Sequence, residues 1–416
     1  MQADDAGLKF HLNRGLDKAL WAHCPERSDV FDVSETGAFV GSCDGMPFIY
    51  RNHGFELLPT LGGTQGVARS TNGTFAVGQA TLAGNTLWNA VRWNLTTRPV
   101  TAQPLAAFSG FPASDALGVD RAGDVTVLSY DESGNTQGGI WLAKPNMLVP
   151  VGGSESIVSG MNGTGTFVGG MYAADSSFVP FEANVNTLAP VEIGGGVSGF
   201  ASGINGKGTA IGTIVQPGGT LTIARFPDPL NVVTYQLPSG FQGREGLAIN
   251  DRGDGVGTML PVGATIDATH GVLLVTTTTR GTDLNEVTQQ AAFFPGQFLI
   301  TGATSITDNN VLVLKLDAGD FGPTRASVMA SRPKRTLGAL AEPTSFTLAR
   351  RKLSVISKDR GLPTALRSLA ARAKADVDDL NIRTACALLR HADRRSGRKL
   401  RSTISSVQTS LFCSHA

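Results

Sequence analysis

For some three hundred residues the apolar positions come in short alternating runs of four to seven, parted by polar turns that close on glycine. The segment ASGINGKGTAIGT, residues 201–213, shows the grammar. A small-residue strand ends at Ile204, Asn205-Gly206-Lys207-Gly208 reverses the chain, and an alternating strand leaves again from Thr209. This pattern predicts a hairpin. Copies stand at 32–42, 69–79, 118–129, 160–170 and 248–258, and a degenerate seventh, SITDNNVLVLK, at 305–315.

The closing residue of each turn sets the phase: Gly37, Gly73, Gly123, Gly165, Gly208, Gly253, then Asn310. The intervals, 36, 50, 42, 43, 45 and 57 residues, fall in the range of propeller blades. Four strands per unit can be counted, at 116–119, 124–130, 139–143 and 147–151 in the third and at 201–204, 209–214, 221–226 and 232–237 in the fifth. The predicted fold is all-β, a seven-bladed propeller of four-stranded antiparallel blades over residues 30–331. The third strands carry bulky apolar groups, Phe48-Ile49-Tyr50, Val91 with Trp93, Ile140-Trp141 and Val179-Pro180-Phe181, which are expected to fill the wedges between blades.

The seventh unit offers only three strands, at 303–306, 311–316 and 326–329. An open edge of that kind is usually closed, and residues 8–12, in the N-terminal segment 1–29, are expected to supply the missing strand. The rest of 8–23 reads equally as a short helix or an irregular lead-in. The start of 283–292 (DLNEVTQQAA) predicts one or two helical turns. After residue 331 the grammar changes: 332–362 reads as a linker, and 363–416 as a basic helical tail.

Composition sharpens this picture in two ways. Glycine is 51 of 416 residues, well above the usual share of roughly 7%, as a turn-rich chain requires. Charge is split: residues 1–331 carry 17 Lys+Arg against 28 Asp+Glu, a balance of −11, and residues 332–416 carry 18 against 6. Intramolecular docking of the basic tail on the acidic propeller is therefore expected. The tail cluster, Arg390, Arg394, Arg395, Arg398, Lys399 and Arg401, also suits a polyanion, but no aromatic residues interleave it, which argues against nucleic acid. No run of about 18 apolar residues predicts a membrane span.

The cysteines fall in two local pairs, Cys24 with Cys43 and Cys386 with Cys413. Bridged pairs would fit an oxidising compartment, and so a secreted, periplasmic or cell-surface protein; four unrelated thiols is the other reading. No signal peptide is visible at the start, MQADDAG, which is read as a mature chain with an added Met1.

The unit resembles the HAF-type extracellular repeat of bacterial secreted proteins. The likeness rests on Leu61-Gly62-Gly63, on Ile204-Asn205 with Gly208, Ile249-Asn250 with Gly253 and Met161-Asn162 with Gly165, and on Val91-Arg92-Trp93. It covers about residues 30–316 and lacks the His-Ala-Phe that names the repeat. It implies a secreted or surface propeller and no particular reaction. Ala385-Cys386-Ala387-Leu388-Leu389, Ser396-Gly397-Arg398-Lys399-Leu400 and Phe412-Cys413 are similar to a helical module ending many secreted bacterial proteins, in which the two cysteines bridge two helices.

Chemistry is sparse. There is no phosphate loop, His-Glu-x-x-His, Cys-x-x-Cys or Gly-x-Ser-x-Gly. Asp120–Asp124 and Asp251–Asp254 resemble calcium loops but occupy the same turn as Asn205–Gly208, so turn geometry accounts for them. No cofactor or metal is expected, because the histidines are scattered without ligand spacing. The loops joining second to third strands, with those passing between blades, bring Asp44, Asp131, Glu132, Tyr172, Asp175, Asp267, His270, Asp317 and Asp320 to one face. Of these, Asp131, Glu132, Tyr172, Asp175, His270 and Asp317 are the ligand-binding candidates, and His270 is the catalytic candidate. The expected function is a binding or interaction module for an extracellular polymer or surface protein. The alternative is a polymer-degrading lyase or hydrolase acting through His270.

Overall fold

The computed structural model describes residues 9–12, 14–24, 26–265, 268–287, 299–317 and 325–332. The linker, the tail helices, Cys386, Cys413, Asp267 and Asp320 lie outside the described residues, as does the docking of the tail. Chain contacts define two units, Met1–Lys18 with Arg332–Ala416, and Ala19–Ser331. In the first lies a strand, Lys9–Leu12, at the expected place. The lead-in also holds a helix, Arg14–His23, with Leu16 and Leu20 buried one turn apart. Both readings of that segment therefore hold in part. At the end of the helix His23 stacks on Phe55, which stacks on Phe48, and the next residue, Cys24, is bridged to Cys43.

The second unit is the propeller. Six sheets of four antiparallel strands follow one another, and a seventh is formed by Leu299–Ile306, Val311–Asp317 and Arg325–Arg332. In blade 5 the strands are Gly199–Ile204, Ala210–Val215, Leu221–Asp228 and Asn231–Thr234. The first strands of the other blades are Ser28–Val33, Gly62–Thr71, Ala113–Val119, Ile157–Met161, Phe241–Ile249 and Leu299–Ile306. Each touches the first strand of the next blade, and that of blade 7 returns to that of blade 1, so the first strands form the inner wall of a ring. Asp32 joins the ends of the chain's circuit. Its Oδ1 accepts the Ser305 hydroxyl of blade 7 at 2.6 Å, and its Oδ2 accepts the Ser70 hydroxyl and the Thr71 N–H of blade 2, both at 2.9 Å.

The wedges between blades hold the core. Val40 and Ile49 of blade 1 pack with Ala76, Val91 and Trp93 of blade 2; Ile140 and Val151 of blade 3 pack with Phe167 and Phe181 of blade 4. Trp93, Trp141, Phe181 and Phe226 are all at most 1% exposed, so the third-strand aromatics are core as expected. Alternation sends successive residues of one strand into opposite wedges: Ile223 and Ala224 belong to different clusters.

The repeated turn is a three-residue loop. In blade 5 the Gly208 N–H donates to Asn205 O, the Asn205 N–H donates to Thr209 O, and Gly208 sits at φ +85°. The six phase-setting glycines have φ between +79° and +89°, and Asn310 takes their place at +58°, a residue type that enters this region more readily than most. Asn205 Oδ1 accepts the N–H groups of Lys207 and Thr209. Its Nδ2 then donates to Asn250 O in the next blade at 2.8 Å. The link recurs from Asn162 to Asn205 O, from Asn250 to Thr307 O and from Asn72 to Asp120 O. Asn162, Asn205 and Asn250 are buried, so the turn asparagine is an interblade clasp as well as a turn cap.

One residue on, a second set of links follows. Asp251 accepts the Gly206 N–H, Asp308 the Asp251 N–H, and Glu35 of blade 1 the Asp308 N–H. Arg252 reaches Asp308 O and Asn310 Oδ1. Asp124 and Asp254 each accept a backbone N–H of their own blade, from Ala143 and Thr276. These carboxylates are thus bonded to backbone N–H groups elsewhere in their own blade or in the neighbouring one.

Each first strand also carries a register shift three residues before its turn. The shift drives the strand's own carbonyl toward its partner. At Gly41, Gly78, Gly169, Gly212 and Gly257 of the second strands, a Cβ would overlap the carbonyl oxygen of Asp29, Val67, Ile157, Phe200 and Glu245. This explains the glycine of the repeated Val-Gly and Ile-Gly pairs. Blades 3 and 7 carry Val127 and Leu314 there.

Asn205→Ala removes the cap and strands a buried carbonyl, and is expected to cost about 2–4 kcal/mol in urea unfolding. Asn205→Asp keeps the cap and loses the interblade donor, at about 1–3 kcal/mol. A wild-type midpoint in both would remove the clasp. Opening Cys24–Cys43 by Cys43→Ser, a loop with sequence separation 19, is expected to cost about 3 kcal/mol in the loop-entropy picture; a Tm equal to wild type under oxidising conditions would contradict this.

Candidate functional site

The face opposite the asparagine turns carries the loops between second and third strands and those that pass from blade to blade. One open concavity on that face lies beside blade 3. The passage from blade 2 to blade 3 makes a turn in which the Phe111 N–H donates to Phe108 O and Gly110 sits at φ +85°, a type II arrangement that needs glycine at its third place. Both phenyl rings are therefore presented together. They face the loop between Val125–Tyr130 and Thr136–Leu142 across a cleft of about 580 Å³ lined by Ala107, Phe108, Phe111, Pro112, Asp131 and Glu132. Phe108 lies over the bare backbone of Gly139, where a Cβ would displace it.

The carboxylates here are not equivalent. Asp131 Oδ1 accepts the N–H groups of Ser133 and Asn135, and its Oδ2 accepts Asn135 Nδ2 at 2.7 Å. That side-chain donor, aided by the backbone ones, holds the Asp131 carboxyl below the usual carboxylate range. Glu132, which is exposed, is the carboxylate left to face a ligand. Asp175 caps its own turn in the same way, accepting the N–H and hydroxyl of Ser177, and is likewise held low. Asp44 accepts the N–H groups of Glu26 and Arg27.

The expected candidates are not brought to one place. Asp131 and Glu132 share the cleft of blade 3. Tyr172 ends a strand of blade 4, half exposed with its ring edge-on to Phe178. His270 opens a strand of blade 6, and Asp317 ends one of blade 7, its side chain outside the described residues. Loops of different blades diverge around a ring, which a reading along the chain does not register. What the sequence reading missed is aromatic: Phe108 and Phe111, whose signal is the pair of rings flanking Ser109-Gly110.

It also missed the partner of His270. His270 Nδ1 lies 2.6 Å from Asp283 Oδ2, and Asp283 is buried. Its other oxygen accepts the N–H and the side-chain amide of Asn285, the capping role read from DLNE. Phe241 flanks the imidazole at 5.0 Å. A carboxylate on Nδ1 fixes the tautomer of a neutral ring and leaves Nε2 as the acceptor. Among the described residues no group of three or more His, Cys, Asp or Glu side chains is placed to hold a metal.

No family model matches the chain, and no curated protein sequence matches it. Solved structures do. The β-propeller domain of the Trilobed protease from Pyrococcus furiosus, described as having an open velcro topology, aligns with 75% of this chain and 99% of its own at 9% identity and a TM-score of 0.50. The acylaminoacyl peptidase of Pyrococcus horikoshii aligns over 72% of this chain at 9% identity and a TM-score of 0.48, and the chain spans about half its length (51%). TolB from Acinetobacter baumannii aligns over 73% of this chain and 79% of its own at 11% identity and a TM-score of 0.39. At such identity the first likeness speaks for fold alone, and the fold is a β-propeller.

NMR titration is expected to place the Asp131 midpoint below that of a free aspartate, about 3.9, and Asn135→Ala to bring it back toward that value. The native turn then loses this support as pH falls through the depressed midpoint, since the unfolded carboxyl binds its proton first. A midpoint unmoved by Asn135→Ala would remove the capping assignment.

Proposed function

We propose that the propeller is an interaction module of an extracytoplasmic compartment, and that the cleft of blade 3 receives a lysine or arginine side chain of a protein ligand. The observation that carries this is the pairing of two phenyl rings with an exposed glutamate. A cation over aromatic faces beside a carboxylate gains both attractions, each worth on the order of 1 kcal/mol at a partly exposed site. Leu87 and Tyr172, exposed apolar residues at the corresponding loops of the neighbouring blades 2 and 4, support a protein-sized contact around that anchor. The carboxylates of Asp131 and Asp175 are spent on their own turns, which weakens a reaction built on the acidic loops.

The proposal keeps the likeness to HAF-type repeats, whose Ile-Asn-x-x-Gly turn holds one place in blade after blade, and the Cys24–Cys43 bridge favours an oxidising compartment. We include in it the N-terminal strand as the fourth of blade 7. The required cation has two sources, a partner protein or the basic tail of this chain, whose charge complements that of residues 1–331. The second reading, a polymer lyase or hydrolase, is favoured by the His270–Asp283 pair.

Fluorescence anisotropy with labelled Lys/Arg-rich peptides is the test, on the full chain. Phe108→Ala with Phe111→Ala is expected to weaken binding at least tenfold, and Glu132→Gln to weaken it and flatten its salt dependence. A carbodiimide cross-link from Glu132 to a tail lysine identifies the tail as the source; one only to added peptide identifies a partner. No binding and no cross-link, or binding indifferent to the two phenylalanines, overturns the proposal. Turnover of a polymer that is lost in His270→Ala would establish the second reading instead.

A further inference from the structure

The register shift of each first strand puts one residue out of the ladder on the inner wall of the ring: Phe31, Arg69, Leu117, Ser159, Ser202, Leu247 and Thr304. All seven are half-buried, whereas the residues just before most of them, such as Val30, Ala68 and Ala116, are core. A bulge re-aims its side chain, and here it re-aims seven toward the axis side. Arg69 is the one charged member of this ring.

Its setting is built from three blades. The Arg69 guanidinium lies over the Phe31 ring of blade 1 at 4.9 Å, and its Nε donates to Asp115 Oδ2 of blade 3 at 2.9 Å. Asp115 is buried, with 5% of its side chain exposed, against 31% for that of Arg69. The guanidinium is thus held on one face by Phe31 and at its Nε edge by Asp115. Nη1 and Nη2, the end-on edge, have no acceptor among the described residues, and that edge has the spacing of a carboxylate.

We propose that Arg69 anchors a carboxylate-binding site on the inner wall, gripping a singly charged carboxylate, such as a peptide C-terminus, end-on through Nη1 and Nη2. Asp115 is a positioning residue and Phe31 a platform. The charge balance of the chain favours a monoanion over a dianion: residues 1–331 carry an excess of 11 acidic groups, and Asp29 and Glu245, paired with Arg27 and Arg244, stand two residues before the bulges of their own blades. A doubly charged phosphate meets more repulsion there. The site is separate from the cleft of blade 3 and takes the opposite charge.

The test uses acetyl-Ala-Ala with a free carboxylate, its C-terminal amide, glucuronate and inorganic phosphate, titrated calorimetrically into the full chain. Saturable binding of the free acid, with the amide at least tenfold weaker, is expected; glucuronate binding as well as the dipeptide acid identifies a sugar acid as an equal source. Arg69→Lys keeps the charge without the fork and is expected to lose at least tenfold, with Tm confirming the fold. If that variant does not fold, the wild type still decides: phenylglyoxal modification of Arg69, followed by mass spectrometry, is slowed by the free acid and not by the amide. No saturable carboxylate binding, equal binding of the amide, stronger binding of phosphate, full affinity in Arg69→Lys, or modification indifferent to the acid overturns the proposal.

Discussion

A buried asparagine amide has two N–H donors and a carbonyl oxygen to satisfy beyond its own backbone, and a ring of repeats links that nitrogen to the following blade only if each turn sits against the next in one register. Asn162, Asn205 and Asn250 give their oxygen to their own turn and their nitrogen to a carbonyl of the following blade. A lateral slip of one blade would leave both a donor and an acceptor unpaired in a buried place, at about 1–3 kcal/mol each. The apolar wedges supply adhesion but little directional preference, because Val, Ile and Trp pack against one another in many offsets. The polar clasp supplies the direction.

That constraint organises the rest of the repeat. The bulge three residues before the clasp turns the first strand against its neighbour, and the glycine opposite makes room for the displaced carbonyl. The asparagine is replaced by Ser34 in blade 1, Asp120 in blade 3 and Thr307 in blade 7; around blade 1 the junctions use other groups: Asp32 draws in Ser305, Ser70 and Thr71, and Glu35 caps Asp308. The circuit thus ends on carboxylates at the blade 7 to blade 1 seam, where two repeats far apart in sequence must recognise each other. A carboxylate suits this because it accepts from several directions at once.

A scaffold so fixed leaves two kinds of surface free. Loops on the opposite face owe nothing to the clasp and differ in length and residue from blade to blade. The bulge residues are the other kind. Their backbone is prescribed, yet their side chains are not, so phenylalanine, arginine, leucine, serine and threonine occupy equivalent places and the inner wall is asymmetric in chemistry though regular in backbone.

The sequence by itself determined the repeat, its phase and the place of nearly every strand, because alternation and a left-handed turn residue are local properties. Gly208 marks its turn whatever surrounds it. Only the tertiary structure decided which side chains meet. Asp283 lies 13 residues from His270 and reads as a helix cap; its second oxygen finds the imidazole because two strands of blade 6 bring them together. Asp115 lies 46 residues from Arg69 on another blade. Asp131 and His270, alike as loop residues in the sequence, are set on blades 3 and 6 by the ring, and no periodicity along the chain carries that angle.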